Sequence, residues 1–339
     1  KLTGGYRAEQ TNVSGEGPLT DPNRAYRRDA SGNLVLVSGL PQLIVPTNAG
    51  LEYSKLTYIS RGGQTQKEYL RVLPSLNGSF NLRENLILRG AFYQSLGRPS
   101  YNQYYAGTTL PNTETPPGPG NRISVNNPGI KAWSANTYRF SLEHYFEGVG
   151  RVSVAVFRRD FRNFFGSTSF RVTPELLDQL ELDPGLYGAY DIATNYNLPT
   201  RVRSQGVDFS YKQALTFLPP WARGVQAFAN VSAQRMIGDA AANFQGYIPR
   251  TYNWGVSLTR ERFNARVNWN YRGRQRAGAV GGSGIEPGVF NWWAKRLYID
   301  VSGECKLTRR FALFANLRNV GDATEDLKIF GPNTPAYAT

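Results

Sequence analysis

The stretch FNARVNWNYRGR, residues 263–274, alternates apolar and polar side chains without interruption as far as Arg272. Alternation with a period of two predicts a β-strand whose two faces differ in polarity. The apolar face carries Phe263, Ala265, Val267, Trp269 and Tyr271. The polar face carries Asn264, Arg266, Asn268, Asn270 and Arg272.

The same alternation recurs along the chain in about eleven segments. Each is near ten residues long, which is the length expected of a tilted strand that crosses a membrane. The segments are 1–12, 67–80, 86–97, 133–146, 151–163, 203–214, 224–235, 249–260, 263–273, 294–306 and 310–319.

The connections between these segments alternate strictly between short and long. The short ones are NLREN, EGVG, LTFLPPWARG, TRER and KLTRR, and the long ones cover 13–66, 98–131, 164–202, 236–248 and 275–293. Barrels of the outer membrane have tight periplasmic turns and extended outer loops, whereas a soluble sandwich has no reason to keep every second connection tight. The pattern therefore predicts an all-β fold, an antiparallel transmembrane β-barrel with long extracellular loops.

Composition excludes several other classes of protein. No run of about 18 apolar residues exists, so the sequence predicts no transmembrane helix, and the first ten residues contain no signal-peptide core. The formal net charge of +14 is spread over many strands rather than gathered in one tract, which argues against nucleic acid as a partner. The single cysteine, Cys305, is predicted to be a packing residue, and the single histidine, His144, is predicted to be an interfacial or packing residue.

In a barrel of this kind, the apolar faces contact lipid and the polar faces line a wet interior. Asp300 and Glu304 lie two steps apart on one strand face, too far apart for a catalytic dyad, and basic neighbours on adjacent strands are expected to pair with them. No catalytic triad, phosphate loop, metal site or cofactor motif is present in the sequence, which predicts a protein that is not an enzyme. The predicted lumen-facing residues are Asn264, Arg266, Asn268, Asn270, Arg296, Asp300 and Glu304.

One long connection contains a predicted short helix, TPELLDQL at 173–180. Thr173 is suited to cap its amino terminus, and Pro174 is suited to its first turn. We expect this helix to pack as a lid over the loop cluster.

Four stretches of the sequence resemble the barrel of TonB-dependent outer-membrane receptors. They occur in the order found in that family and extend over nearly the whole chain, although residues 129, 132 and 133 depart from the family pattern. The stretches are LPSLNGSFNLRENLILRGAFYQSLGRPSYNQY at 73–104, NNPGIKAWSANTYRFSLEHYF at 126–146, SQGVDFSYKQAL at 204–215 and FANLRNVGDAT at 314–324.

The resemblance implies a 22-stranded barrel around an N-terminal plug, in the outer membrane of a Gram-negative bacterium. Residues 1–339 are then expected to form the C-terminal half of the barrel, with the plug, its TonB box and the final strand outside this sequence. The implied partners are outer-membrane lipid, lipopolysaccharide and, through the N-terminal region, the TonB–ExbB–ExbD complex.

The leading hypothesis is therefore TonB-energised import of a scarce ligand, such as a ferric siderophore, another chelate or an oligosaccharide. A passive porin, a barrel adhesin and a soluble all-β glycan-binding module remain as alternatives. Iron, if carried, is expected inside a chelate rather than at a metal site of the chain. Arginine with aromatic residues suits an anionic or ring-bearing ligand. The candidate ligand-binding residues are Arg98, Tyr101, Asn102, Tyr104, Tyr105, Arg272, Arg274, Arg276, Phe290, Trp292 and Trp293.

Overall fold

The computed structural model describes residues 1–61, 64–147, 149–239, 242, 244–280, 285–286 and 288–334. Strands dominate this part of the chain. In chain order they are β1 (Leu2–Glu16), β2 (Leu19–Thr20), β3 (Leu36–Val37), β4 (Leu40–Pro41), β5 (Tyr58–Ile59), β6 (Gln64–Arg83), β7 (Leu86–Gly97), β8 (Thr108–Thr109), β9 (Ile123–Val125), β10 (Trp133–Phe146), β11 (Gly150–Arg162), β12 (Phe165–Arg171), β13 (Asp191–Asn197), β14 (Val202–Ala214), β15 (Val225–Ile237), β16 (Arg250–Thr259), β17 (Phe263–Arg272), β18 (Gln275–Ala279), β19 (Phe290–Trp293), β20 (Arg296–Lys306), β21 (Ala312–Leu317) and β22 (Leu327–Phe330).

Helices are few and short. Within the described residues, none has the length and apolar character that a bilayer span requires. The α-helices are α1 (Leu51–Thr57), α2 (Pro174–Gln179) and α3 (Pro184–Tyr187), and single 3₁₀ turns cover Pro22–Ala25, Tyr101–Gln103 and Pro220–Ala222.

Eleven strands form one antiparallel sheet, called the wall here, in the order β1-β6-β7-β10-β11-β14-β15-β16-β17-β20-β21. Each of the eleven alternating segments is one of these strands, so the prediction of antiparallel β-architecture is confirmed. Every wall strand pairs with the wall strand next to it along the chain, as in an up-and-down meander. The sheet is open in the described part of the chain, with β1 and β21 at its two edges.

The strand register places apolar side chains on one face of the wall and polar side chains on the other. Trp254 pairs with Trp269, which pairs with Ile299, and the two indole rings stack at 6.2 Å with an interplanar angle of 2°. One residue along, Asn253 pairs with Asn270 on the opposite face. Because the side-chain period in a strand is two, this register keeps the two faces separate along each strand.

The apolar face is open to its surroundings over much of its area. Large side chains that a soluble protein would bury are exposed there, including Phe140 at 57% and Leu313 at 62%. This surface continues over neighbouring strands through Leu88, Leu142 and Val154. An apolar band of this extent needs an apolar medium or a partner to cover it.

The connections confirm the alternation of short and long. Short connections at 84–85, 215–224, 260–262 and 307–311, and the one between β10 and β11, join the wall strands at one end. At Gly224 the backbone has a φ of 89° and a Cβ atom would lie 2.2 Å from the carbonyl oxygen of Thr259, so this turn requires glycine. The end of the wall with the long connections is called the loop end below.

Three long connections fold together rather than separately. Segments of 17–61, 98–132 and 163–201 build a six-stranded loop sheet in the order β12-β13-β9-β8-β2-β5, in which β13 pairs with β9 and β2 pairs with β8 in parallel. Its buried core consists of Leu19, Leu110, Ile123, Val172, Leu177, Leu182, Tyr187, Tyr190 and Ile192.

The predicted short helix is confirmed as α2. Pro174 begins it, and the Thr173 hydroxyl accepts a hydrogen bond of 3.4 Å from the backbone N–H of Leu176. Leu177 is 1% exposed within the core of the loop sheet. The helix therefore covers one side of that sheet, as the sequence predicts for a packing lid.

A second set of contacts lies at the loop end of the wall. Phe164 stacks on Phe244 at 4.1 Å and meets Phe161 edge-on at 4.9 Å. Nearby, β18 and β19 of the connection 275–293 form a three-stranded hairpin sheet with β22, which follows the last wall strand. Within the described residues, the long connections and the segment after β21 thus form the loop sheet, the hairpin sheet and the two-stranded sheet β3-β4.

Candidate functional site

Arg98, the first candidate residue, ties its loop to the wall. Its Nη2 atom lies 2.5 Å from Glu9 Oε2, and its Nε donates a hydrogen bond of 3.0 Å to the hydroxyl of Thr11. The hydrogen bond to Glu9 raises the pKa of the guanidinium above its already high ordinary value. Arg98 is therefore a permanent cation whose charge is balanced by the wall.

Tyr104 is enclosed between its loop and the polar face. It is 2% exposed, its hydroxyl lies 2.9 Å from the hydroxyl of Tyr69, and the ammonium of Lys67 lies 5.4 Å from its ring centroid. Burial, followed by the hydrogen bond to Tyr69, raises the pKa of Tyr104 well above its ordinary value. Its phenol stays neutral and acts as part of the packing.

The neighbours of Tyr104 differ in exposure. Tyr101 is 82% exposed and is the one of these candidates whose ring is free to meet a ligand. The backbone carbonyl of Asn102 accepts a hydrogen bond of 2.6 Å from Asn126, and the ring of Tyr105 packs against Gly15. The five candidates of this loop thus lie together, with Tyr101 outermost.

Arg276 lies on β18 of the hairpin sheet and pairs with Trp292 of β19. Its guanidinium lies 4.1 Å from the ring centroid of Phe290 and 5.1 Å from that of Trp292, and Nη1 donates a hydrogen bond of 3.0 Å to the carbonyl oxygen of Ala242. Burial lowers the pKa of Arg276 from its ordinary value. Its Nε atom is buried without a hydrogen-bond partner.

The other candidates of this region lie around Arg276. Arg274 lies 5.1 Å from the ring centroid of Phe330, Trp293 pairs with Gln275 in the hairpin, and Arg272 donates a hydrogen bond of 2.7 Å to Gln275. The hairpin sheet therefore brings these predicted residues into one cluster of arginines and aromatic rings. The loop of Arg98 forms a separate cluster on β1 and β6.

The predicted lumen-facing residues share the polar face of the wall. Asp300 accepts hydrogen bonds of 3.2 Å from Asn270 and 3.0 Å from the backbone N–H of Asn319, and Glu304 accepts one of 3.2 Å from Asn264. Basic neighbours on adjacent strands were expected to pair with these two acids. The partners observed for them are asparagine side chains and a backbone N–H, so this expectation is wrong.

The register explains this difference. Arg266 stands opposite Ser302 rather than opposite either acid, so its Nε donates to Asn268 at 3.0 Å and its guanidinium lies 5.1 Å from the ring centroid of Phe228. Arg296 turns towards the loop end, where it pairs with Glu325 and donates to Tyr298.

A cavity of about 590 Å³ opens on the polar face between β1 and β14. Two ion pairs cross it: Arg89 to Glu143 at 3.2 Å and Arg139 to Asp208 at 2.8 Å. The polarity of this surface agrees with a water-filled interior or with contact to another polar protein surface.

A smaller cavity of about 310 Å³ lies between the loop sheet and Ala279 of the hairpin sheet. Most of its lining side chains are short and polar, and sequence reasoning did not find it. The polar triplet Ser-Thr-Ser at 167–169 was the one indication of this cavity in the sequence, but nothing indicated which strands would lie beside it. The polar lining residues are Arg122, Ser124, Asn126, Ser167, Thr168, Ser169, Thr194 and Asn195.

No group of three or more potential metal-ligating side chains occurs among the described residues. What the loop end offers instead is guanidinium, hydroxyl, amide and aromatic groups around polar space. Such groups recognise anionic or hydroxyl-rich molecules by hydrogen bonds and stacking.

Comparison with known families gives a match over most of the chain. The model of the family described as TonB dependent receptor-like, beta-barrel, matches residues 1–320. A comparison with curated proteins finds no match.

Solved structures share the fold at low sequence identity. A mutant of the ferric enterobactin receptor PfeA from Pseudomonas aeruginosa aligns with a TM-score of 0.55 and 16% identity over 95% of this chain and 46% of that chain. The copper transporter OprC aligns with a TM-score of 0.55 and 12% identity over 94% of this chain and 39% of that chain. The siderophore receptor PirA from Pseudomonas aeruginosa aligns with a TM-score of 0.51 and 14% identity over 80% of this chain and 46% of that chain. This chain thus spans less than half the length of these receptors.

Proposed function

The chain belongs to the family of TonB-dependent receptor-like β-barrels, and from this premise we propose that it forms the C-terminal half of the barrel of an outer-membrane importer. In this proposal the importer takes up a scarce ligand in a TonB-energised manner, and an N-terminal plug outside residues 1–339 contacts the TonB–ExbB–ExbD complex. The family is one of receptors and transporters rather than enzymes.

The proposal rests on the architecture of the wall. Its eleven strands have an exposed apolar face on one side and a charged polar face on the other, and folded loops lie at one end. The apolar face suits the hydrocarbon core of a bilayer, and the polar face suits an aqueous interior or a plug. The ion pairs around Arg139 and Arg89 give that interior fixed charges of both signs.

The ligand we propose is a metal chelate, with an oligosaccharide as the second choice. The structural neighbours include a ferric enterobactin receptor, a siderophore receptor and a copper transporter. The loop end of this chain has the chemistry for an anionic, ring-bearing molecule, with Tyr101 exposed and arginines beside aromatic rings in the hairpin sheet. In this proposal Tyr101, Arg274 and the polar cavity at Arg122 meet the ligand.

Uptake by cells tests the proposal. The full-length protein is expressed in a strain that lacks its own receptors, and accumulation of radiolabelled ferric chelates, copper and oligosaccharides is measured with and without a functional TonB complex. We expect accumulation of one ligand class that is abolished by loss of TonB or of the proton-motive force.

A matched variant separates the ligand site from the barrel. Tyr101→Ala is expected to weaken binding of the imported ligand several-fold, while Tyr58→Ala, at an exposed tyrosine of the loop sheet, leaves it unchanged. TonB-independent accumulation, or steady ion conductance through the unmodified full-length protein, would contradict the proposal and favour a passive pore.

A further inference from the structure

The first long connection contains a projecting arm, the name used here for residues 25–45. The chain passes along the arm three times, and β3 and β4 form the hairpin at its end. Backbone hydrogen bonds join the three passes: the N–H of Arg27 donates to the carbonyl oxygen of Gln42 at 2.8 Å, and the N–H of Gln42 donates to that of Val35 at 2.9 Å. The arm therefore has a defined backbone structure of its own.

The hairpin of the arm exposes large apolar side chains on both of its faces. Leu36 and Val37 are consecutive residues of β3, so their side chains lie on opposite faces, yet they are 57% and 55% exposed. Leu40, which pairs with Val37, is 71% exposed. Apolar side chains grouped and exposed in this way mark a surface that another structure covers.

The arm lies on the side of the molecule where both large sheets have an open edge. The order of the loop sheet follows that of the wall: β12 and β13 come from the connection between β11 and β14, β9 and β8 from that between β7 and β10, and β2 and β5 from that between β1 and β6. The edge strand β5 therefore lies towards β1, the edge strand of the wall, and the hydroxyl of Ser60 donates a hydrogen bond to Glu16 at the end of β1. The arm is inserted between β2 and β5, at this open side.

A protein surface suits the arm better than lipid does. Outside β3 and β4 its backbone is irregular, and irregular backbone in contact with hydrocarbon lacks hydrogen-bond partners for its N–H and C=O groups. A segment of the same protein is favoured over a second molecule, because its tether gives it a high effective concentration at this place. Less than half of each aligned receptor matches this chain, so a protein of that size has ample further length to supply such a segment.

We propose that outer loops of the N-terminal half of the same barrel dock on the arm and cover Leu36, Val37 and Leu40. This inference rests on the proposed function, in which the part of the protein before residue 1 closes the barrel against β1. The charges of the arm add a requirement. Arg24 and Arg27 are exposed, and neither forms an ion pair within the described ranges, so the docking loops are expected to carry acidic side chains beside apolar ones.

Photo-crosslinking of the full-length protein in outer membranes tests this docking. The photoreactive amino acid p-benzoylphenylalanine replaces Leu40, and the cross-linked peptides are identified by mass spectrometry after irradiation. We expect cross-links within one chain, to residues that precede residue 1. The control probe replaces Leu186, an exposed leucine of α3, and is expected to give none of these cross-links. Cross-links from position 40 only to lipid, to a second copy or to another protein would overturn the inference, as would the absence of any cross-link.

Trypsin cleavage measures the cover of the arm without a probe. Leu40→Asn changes a side chain that makes little contact within residues 1–339, so the fold of the arm itself is expected to persist. Cleavage after Arg27 and Arg28 in the full-length protein is expected to become about tenfold faster in this variant, because a covered leucine is lost from the docking surface. The matched variant Leu186→Asn is expected to keep the slow rate. Equal cleavage rates in the two variants and the unmodified protein would contradict the proposed cover.

Uptake measurements on the unmodified protein separate this inference from the proposed function. Cross-links from position 40 to the preceding part of the chain, in a protein that shows no TonB-dependent accumulation of any ligand, would uphold the docking surface and reject the importer. TonB-dependent accumulation by a protein whose arm gives no such cross-links and is cleaved rapidly would do the reverse.

Discussion

The guanidinium of Arg98 lies 2.5 Å from the carboxylate of Glu9, across the intervening strand β6. Arg98 follows the end of β7, whereas Glu9 belongs to β1, and 89 residues separate them along the chain. This contact fixes the start of a long loop to a strand that is not its hydrogen-bonded neighbour. It also gives a candidate ligand-binding residue a structural role.

A double-mutant cycle is expected to measure this tie. Arg98→Gln and Glu9→Gln each remove one partner, and since the Arg98 side chain is 40% exposed, we expect a coupling free energy of only about 0.5–1 kcal/mol. Denaturant unfolding of the full-length protein in detergent, followed by fluorescence, gives the four free energies of unfolding. Strictly additive single and double variants would show that the contact does not couple the loop to the wall.

We expect cysteines on the two faces of β17 to differ in their reactivity. In a Cys305→Ser background, Asn268→Cys is expected to react with a water-soluble maleimide, because Asn268 lies on the polar face opposite Asp300. Val267→Cys, one residue away on the apolar face opposite Val301, is expected to be shielded by lipid in intact outer membranes. The measurement is the labelled fraction by gel shift. Equal labelling at the two positions in membranes would contradict a lipid-facing apolar side.

Arg276 is expected to stabilise the hairpin sheet. Arg276→Gln removes a cation 4.1 Å from the Phe290 ring centroid and a hydrogen bond to Ala242, and is expected to cost about 1–2 kcal/mol of local stability. Arg276→Lys keeps the charge but loses the planar group, so it should restore only part of this. Protease cleavage rates within 275–293 report the local opening. Unchanged cleavage rates in both variants would show that Arg276 does not stabilise the hairpin sheet.

Alkaline pH is expected to loosen the loop sheet through Tyr187. Burial, with the Asp21 charge second, raises the pKa of Tyr187 to about 12. A folded-state pKa above the unfolded value of about 10 means that the stabilisation is complete below pH 10 and is lost as the pH rises towards 12. Tyr187→Phe keeps the ring and removes the titration.

Proteolysis of residues 163–201 between pH 9 and about 12 measures this effect, since the loss of stability follows the two pKa values. The unmodified protein is expected to become more susceptible over this range and Tyr187→Phe less so. Tyr58→Phe, an exposed tyrosine in the same sheet, serves as the control. Identical pH profiles for all three proteins would contradict the prediction.

The wall was predictable because its signals are local. Alternation along β17 specifies both faces of the strand, and tight turns such as TRER specify that its neighbour is antiparallel. The helix at α2 was equally predictable, since the cap at Thr173 and the proline after it act within one turn.

The candidate site was predictable only in part. The clustering of Arg276, Phe290 and Trp292 follows from one hairpin, so proximity in sequence indicated it. The burial of Arg276 did not follow, because it depends on Ala242, which belongs to another loop.

What the sequence by itself determined is therefore the pattern carried by each strand: its length, its two faces and the side on which its connections are long. Only the tertiary structure decided how the long connections assemble. The loop sheet joins two-residue strands such as Leu19–Thr20 and Thr108–Thr109 in parallel across about ninety residues, and strands this short have no periodicity to read. Their pairing depends on contacts that offset the entropy of closing long loops, and those contacts exist only once the chain is folded.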